Sequence, residues 1–287
     1  MQHDINDFIA RQLAAWPEAA QRFAALDSAL SRSIDIPGRQ PYSLMFNPAR
    51  IVSSAARTDA ASIASRPCFL CSHNRPAAQM VMPYGDYEIL VNPFPIFPGH
   101  LTIPSRCHTP QAIEGRAADM ARLALALQGF TLFYNGARCG ASAPDHFHFQ
   151  AAPSSHLPLR ADYHFLTFRF TATPANAESM TQAALARARA VVNSAAKGAD
   201  GSCSDDPEPP VNILCSAVTG SDSVEFVVIP RRAHRPANFG SGPGQLLMSP
   251  PSADLAGTLV APRREEFDRL DTPMLLDLFN QLCFPHE

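Results

Sequence analysis

Two short runs in this sequence hold the side chains best suited to chemistry, Asp145-His-Phe-His-Phe-Gln150 and Cys68-Phe-Leu-Cys71. In an extended segment alternate residues share a face, so His146, His148 and Gln150 point one way while Phe147 and Phe149 enter a core. A neutral imidazole is a competent nucleophile toward phosphorus near neutral pH, and an amide can hold a phosphoryl oxygen or a neighbouring ring without titrating. The plain alternative is a strand whose polar face is rich in histidine, since His-x-His pairs also serve metals and surfaces.

The cysteine pair has close to the spacing of a tetrahedral zinc site, but no second Cys-x-x-Cys follows it. Two further ligands must come from elsewhere. His108 and His146 are the nearest candidates, because pairing of neighbouring strands brings them together; His73 and Cys107 compete. Two buried structural thiols are the alternative. If His146 goes to the metal, His148 stays free for phosphorus. The zinc is then structural, with four protein ligands and no position for water; a catalytic zinc with bound water is the other option.

Both runs need strands to aim them. Tyr87 to Val91 and His100 to Ile103 read as strands that pair as a hairpin across a Pro-punctuated stretch. Ile113, Met120, Leu123 and Leu127 share a helical face that ends at Gly129, and Phe130 to Asn135 returns as a strand. Further strands are expected at Tyr163 to Phe170, Val211 to Cys215 and Val224 to Ile229, with an alanine-rich helix over about Ala175 to Ala196 and a polar loop from Gly198 to Pro210. At the N-terminal end, Ile5, Phe8, Ile9, Leu13 and Trp16 form one helical face interrupted by Pro17, an accessory segment over 1–36. Pro37 to Pro76 is turn-rich, with arginines at 39, 50, 57, 66 and 75, of which Arg50 and Arg66 flank the cysteine segment and are candidates to reach a phosphate. Ile103-Pro-Ser-Arg-Cys-His-Thr-Pro110 and Ile229-Pro-Arg-Arg-Ala-His-Arg-Pro236 agree at five of eight positions, which reads as an internal duplication. Arg231, Arg232 and Arg235 in the second copy could bind phosphate oxygens or form a solvated turn.

At 287 residues, 46% hydrophobic and 17% charged, the chain is a folded protein with ample core. A net charge of -3 supplies no basic field for a nucleic acid, so a small ligand is expected. Seven cysteines, an odd number, suit a reducing compartment, and no apolar run nears the roughly 18 residues of a membrane span. The start, Met1-Gln-His-Asp4, lacks a signal-peptide pattern, and a cytoplasmic location is expected.

The order Cys-x-x-Cys, Pro98-Gly-His-Leu-Thr-Ile-Pro104 with His108 behind it, Asn135-Gly136, then Gly140-x-Ser142 leading into His-x-His-x-Gln resembles the histidine triad superfamily. Gln150, where the superfamily's hydrolases carry a third histidine, is similar to the nucleotidyltransferase branch of galactose-1-phosphate uridylyltransferases, diadenosine tetraphosphate phosphorylases and GDP-hexose phosphorylases. The resemblance spans roughly Asn47 to Val260, its last part being Leu246 to Val260, which looks like the closing strands of the phosphorylases. Phe147 stands where uridylyltransferases usually have proline, which weighs against a UDP-hexose.

The resemblance implies an α+β fold, a histidine-triad-like antiparallel sheet with flanking helices in two related half-domains, 37–160 with the motifs and 161–287 degenerate. It implies that His148 attacks an α-phosphorus while Gln150 and Ser142 hold its oxygens, with Asn135 and Gly136 near the same phosphate. Asn92, with Pro93 and Phe94, would line ribose and base, and Arg231 and Arg232 would meet the departing phosphate. The expected function is a nucleotidyltransferase or phosphorylase working between a nucleoside diphosphate sugar or dinucleoside polyphosphate and phosphate or a sugar phosphate, as a monomer or homodimer. The alternatives are a hydrolase of the same fold and a zinc-stabilised nucleotide-binding protein without turnover. The enzyme reading requires that the His148 ring be unburied, free of metal and beside a cleft large enough for a nucleotide.

Overall fold

A computed structural model describes residues 2–51, 60–199 and 207–286. Arg57 and residues 200–206 of the expected polar loop lie outside them. Among the described residues eleven strands are formed: β1 Ser31–Ile34, β2 Tyr42–Phe46, β3 Met82–Tyr84, β4 Tyr87–Val91, β5 Leu101–Pro104, β6 Phe130–Asn135, β7 His148–Pro153, β8 Phe168–Ala172, β9 Val211–Ala217, β10 Val224–Pro230 and β11 Thr258–Ala261. Eight of them make one sheet in the order β3-β4-β5-β7-β6-β9-β10-β8, and β1-β2-β11 make a second. All pairings in the large sheet are antiparallel. The fold is the expected α+β arrangement of an antiparallel sheet with flanking helices.

Strand alternation assigns each face of the large sheet its own core. One face carries Leu101, Ile103, Leu132, Tyr134, Phe147, Phe149, Phe226 and Val228. The N-terminal helices Gln2–Ala15 and Pro17–Asp27 and the helices Ala117–Ala126 and Ala177–Ala199 cover this face, supplying Ile5, Phe8, Phe23, Met120, Leu123, Ala184 and Ala188. Pro17 begins the second helix, at the position where its missing N–H costs nothing. The expected accessory helices are part of the main core: Ile5 is fully buried, and Gln12 donates to the Ala78 carbonyl at 2.8 Å.

The opposite face carries Phe133, Ala152, Leu214, Val227 and Ile229, packed under the three-stranded sheet and the helices Arg264–Arg269 and Thr272–Leu282. The second sheet joins chain ends, because β11 lies parallel to β2 with Val260 opposite Met45. The tail of the chain is thereby returned over the first half of the sheet. Ser252 fixes it there by giving its hydroxyl to the Tyr134 carbonyl at 2.8 Å and its N–H to Asn135 Oδ1 at 2.9 Å.

The topology repeats about the β6/β9 seam: β5, helix, β6, β7 is matched by β8, helix, β9, β10. This repeat does not follow the Ile-Pro-x-Arg-x-His-x-Pro agreement. That agreement sets β5 against β10, whereas the strand order sets β10 against β7. The expected strand at Tyr163 to Phe170 begins only at Phe168, because Leu166 gives its N–H to Phe284 in the C-terminal segment and not to the sheet. Among the described residues no helix is long and apolar enough to cross a membrane.

Candidate active site and metal centre

The His-x-His run straddles the start of β7, so its two histidines serve different places. Phe147 and Phe149 pack edge to face at 4.8 Å, and Phe147 stacks on Tyr134 at 5.9 Å. Burying two such rings stabilises the strand by roughly 1.5–3 kcal/mol each, which fixes the opposite face by default. His148 and Gln150 line a cavity of about 710 Å³ on that face.

Gln111 clamps the strand where it begins. Its Oε1 accepts the His148 N–H at 2.8 Å, and its Nε2 donates to the carbonyls of His148 and Asn135, each at 3.0 Å. His148 is 2% exposed, so the requirement of an unburied ring is not met; it was too strict, because a nucleophile needs one ring nitrogen at the cavity and not an exposed ring, and His148 lines the cavity with Nδ1 alone engaged by the backbone. Nδ1 lies 2.9 Å from the His146 carbonyl, an acceptor only, so Nδ1 carries the proton and Nε2 keeps its lone pair. Burial pushes the ring's pKa down to about 4 against that hydrogen bond, and the imidazole is neutral at pH 7.

Gln150 is oriented by a histidine. His100 Nδ1 accepts the Ile96 N–H at 3.3 Å, so Nε2 carries the proton and donates to Gln150 Oε1 at 3.0 Å. Burial first, then the Arg50 charge, hold His100 down at about pKa 3, and this tautomer persists across the physiological range. The Gln150 amide group is left to donate into the cavity.

Asn92 and Ser142 also line the cavity, as do Pro93 and Phe94. Asn92 is braced by Phe94 N–H to its Oδ1 at 2.8 Å and by its Nδ2 to Thr102 Oγ1 at 3.0 Å. Asn135 reaches the cavity with its amide oxygen already occupied by Ser252 and by Asn212 at 2.8 Å, so its amide nitrogen is what it can offer a ligand. Gly136 is spent on packing: a Cβ there would meet the Val211 carbonyl at 2.8 Å, and the residue does not line the cavity. Gly140 does, with φ +97° and with a Cβ excluded by Pro251 at 2.7 Å, so only glycine lets the returning tail close on the site.

The structure takes Arg231 and Arg232 away from the cavity. Arg231 is fully buried and donates to the carbonyls of Leu282, Pro250 and Ala233 and to Asn212 Oδ1, which anchors the tail. Arg232 is exposed and reaches the Asn280 carbonyl at 3.2 Å. The cations that line the cavity are Arg50 and Arg66. His234, Met248, Ser249 and Asp254 line it too and were not expected there; their stretches stand out in the sequence, but nothing in it assigns them to the cavity, where the β2/β11 pairing and the Ser252 and Arg231 hydrogen bonds hold the tail.

His146, at the other end of the run, joins Cys68, Cys71 and His108 in a cluster whose four ligand atoms lie within 4.8 Å of one another. Cys68 Sγ is 3.3 Å from His146 Nδ1, and Cys71 Sγ is 3.2 Å from His108 Nδ1. Nitrogen and sulfur bound to one tetrahedral zinc stand roughly 3.5 Å apart, given bonds of about 2.0 and 2.3 Å. The far ring nitrogens have partners suited to metal-bound histidines: His146 Nε2 meets the Ser105 carbonyl at 2.8 Å, and His108 Nε2 faces Asp145 at 3.8 Å. His73 and Cys107 are not in the cluster. The cysteine turn itself is held by Asn74 to the Cys68 carbonyl at 2.9 Å and Arg75 to the Leu70 carbonyl at 2.8 Å. The four residues can hold a metal ion.

Residues 8–153, just over half of the chain and including both histidines of the run and the whole cluster, match the family described as Domain of unknown function (DUF4922). The chain belongs to that family. No curated protein matches this DUF4922 chain in sequence. Its fold is similar to the crystal structure of yeast Ap4A phosphorylase Apa2, with a TM-score of 0.58 at 17% identity over 95% of each chain. The same yeast protein in complex with AMP gives 0.55 at 18% identity over 96% of this chain and 97% of the other. In complex with Ap4A it gives 0.56 at 17% identity over 94% and 97%. At these identities the likeness is one of fold.

Proposed function

We propose that this chain is a nucleotidyltransferase of the phosphorylase type that carries a nucleoside monophosphate on His148. The observation that carries the reading is the His148 ring itself, with its proton fixed on Nδ1 by the His146 carbonyl and its Nε2 lone pair available at a cavity that Ser142, Gln150 and Asn92 also line. The fold shared with a phosphorylase of a dinucleoside polyphosphate and the histidine-triad resemblance of the motif support it.

In the first step Nε2 bonds to the α-phosphorus of a nucleoside diphosphate sugar or dinucleoside polyphosphate, and the bond from phosphorus to the bridging oxygen breaks. The leaving phosphate takes that electron pair. In the second step an oxygen of inorganic phosphate or a sugar phosphate attacks the same phosphorus, the P–N bond breaks, and the imidazole regains its neutral form. Two in-line displacements retain configuration. The Gln150 amide, Ser142 and the Asn135 amide nitrogen supply donors to the phosphoryl oxygens, and Arg66 neutralises charge. The cysteine–histidine cluster binds zinc in a structural role: when bound, the ion ties the Cys68–Cys71 turn to the residue two before His148.

Turnover measured with and without inorganic phosphate tests this reading. Release of nucleoside diphosphate that requires phosphate is expected, and equal release of nucleoside monophosphate in its absence would make the chain a hydrolase.

A further inference from the structure

One wall of the cavity holds a carboxyl and a guanidinium that do not pair with each other. Asp254 is 6% exposed; its Oδ1 accepts the Val260 N–H at 3.0 Å, which leaves Oδ2 for whatever fills the cavity. Arg50 donates to the Phe94 carbonyl at 3.1 Å, the backbone of the segment that begins at Asn92. Each is held by backbone, and among the described residues they are not in ion-pair contact. They are near enough to influence one another, Asp254 strengthening the proton affinity of Arg50 and Arg50 weakening that of Asp254, though burial acts more strongly on both.

Apolar Phe94, Ile96, Met248 and Val260 line the same cavity, and Arg50 and Asp254 are bonded to the backbone of the first and last of them, which gives this wall its apolar character. A flat ligand with apolar faces and a polar edge satisfies such a wall. A sugar, with hydroxyls on every side, would leave most of its hydrogen bonds unmade there.

Building on the nucleotidyl-transfer reading, we infer that Arg50 and Asp254 read the edge of the nucleobase and select guanine. Guanine presents two adjacent N–H donors, N1–H and the N2 amino group, beside the O6 acceptor. Oδ2 of the carboxylate, with its two lone pairs, accepts from both donors, and the guanidinium donates to O6. Adenine sets a ring lone pair beside its single amino donor, and uracil flanks its one N–H with two carbonyls, so either turns an acceptor toward the carboxylate. A buried group left without its donor rejects such an analogue.

Equilibrium binding of GMP, AMP, UMP and CMP to the full chain at pH 8 tests the assignment. GMP is expected to bind about 10- to 100-fold more tightly than AMP. Asp254→Asn keeps an amide oxygen for the Val260 N–H while removing the carboxylate; it should abolish the preference and change AMP affinity less than about threefold. GMP binding no tighter than the other three would overturn the assignment, and so would an Asp254→Asn variant that keeps the GMP preference or weakens all four alike. Failure of all four to bind would overturn the nucleotide reading itself.

Discussion

The face of the large sheet that bears the site is treated in opposite ways by its two halves. On β7 it presents His148, Gln150 and Ala152, and a cavity stands above the first two. On β10, the strand that occupies the same place in the repeat, it presents Val227 and Ile229, and the helix Thr272–Leu282 and the three-stranded sheet cover it. One half therefore supplies polar groups and open volume, and the other supplies the apolar footing for the layer that roofs the cavity. The roof includes Met248, Asp254 and Val260, all from the second half of the chain. Site and support are built on one surface and separated by side-chain chemistry alone.

The contrast can be broken from either side. His148→Ala should lower turnover at least about a thousandfold, ~4 kcal/mol of barrier, with a melting temperature shifted by only a few degrees. Ile229→Ala should do the reverse, costing about 2–5 kcal/mol in denaturant unfolding while turnover of the folded protein is kept within about twofold. A variant that loses both properties together would show that the halves are not separable in this way.

Removing metal sharpens the comparison, because among the described residues only the first half carries such a cluster. Chelation of the zinc-loaded protein should lower the melting temperature by roughly 10 °C, from about 3–4 kcal/mol at 2–4 °C per kcal/mol, and turnover should fall with the loss of order before His148. An unchanged melting curve with metal demonstrably removed would leave the cysteines as packed thiols.

The smallest effect is expected at the seam. Glu208 accepts hydrogen bonds from the Tyr134 hydroxyl on β6 and from the Ile113 N–H, each at 2.7 Å, just ahead of β9. Burial is the main cause that raises its pKa from 4.5 to about 7, with Glu114 adding to it and Arg189 opposing. A raised folded-state value means that the carboxyl's contribution to stability is full below pH 4.5 and lost as pH rises through 7. Wild type should therefore gain stability relative to Glu208→Gln between pH 8 and pH 5.5. A pH slope identical in the two proteins would locate the titration elsewhere.

The local parts of this structure were legible in the sequence because they rest on short-range rules. Alternation placed Phe147 and Phe149 in a core and freed His148, and strand pairing brought His108 and His146 to the cysteine pair. The β4/β5 hairpin, with Leu90 opposite Thr102, followed from two apolar runs and the prolines between them. The long-range parts were not legible. Asp254 enters the cavity on a tail that β11 holds to β2 across more than 200 residues and that Ser252 ties to β6, and no spacing announces those contacts. Arg231 was a candidate phosphate ligand because a guanidinium fork fits phosphate oxygens; here three backbone carbonyls and Asn212 consume that fork. The octapeptide agreement misled for a related reason, since identity over eight residues says nothing about which strand a segment follows in a repeat.

Capture of the intermediate is the most direct test of the central claim. The full chain is mixed with nucleotide donors radiolabelled at the α-phosphorus, quenched in alkali and digested. Label that is acid-labile, maps to the peptide containing His148 and leaves as nucleoside diphosphate when inorganic phosphate is added is the predicted result. Phosphate-dependent turnover that persists in His148→Ala, or label mapped to a different residue, would contradict it.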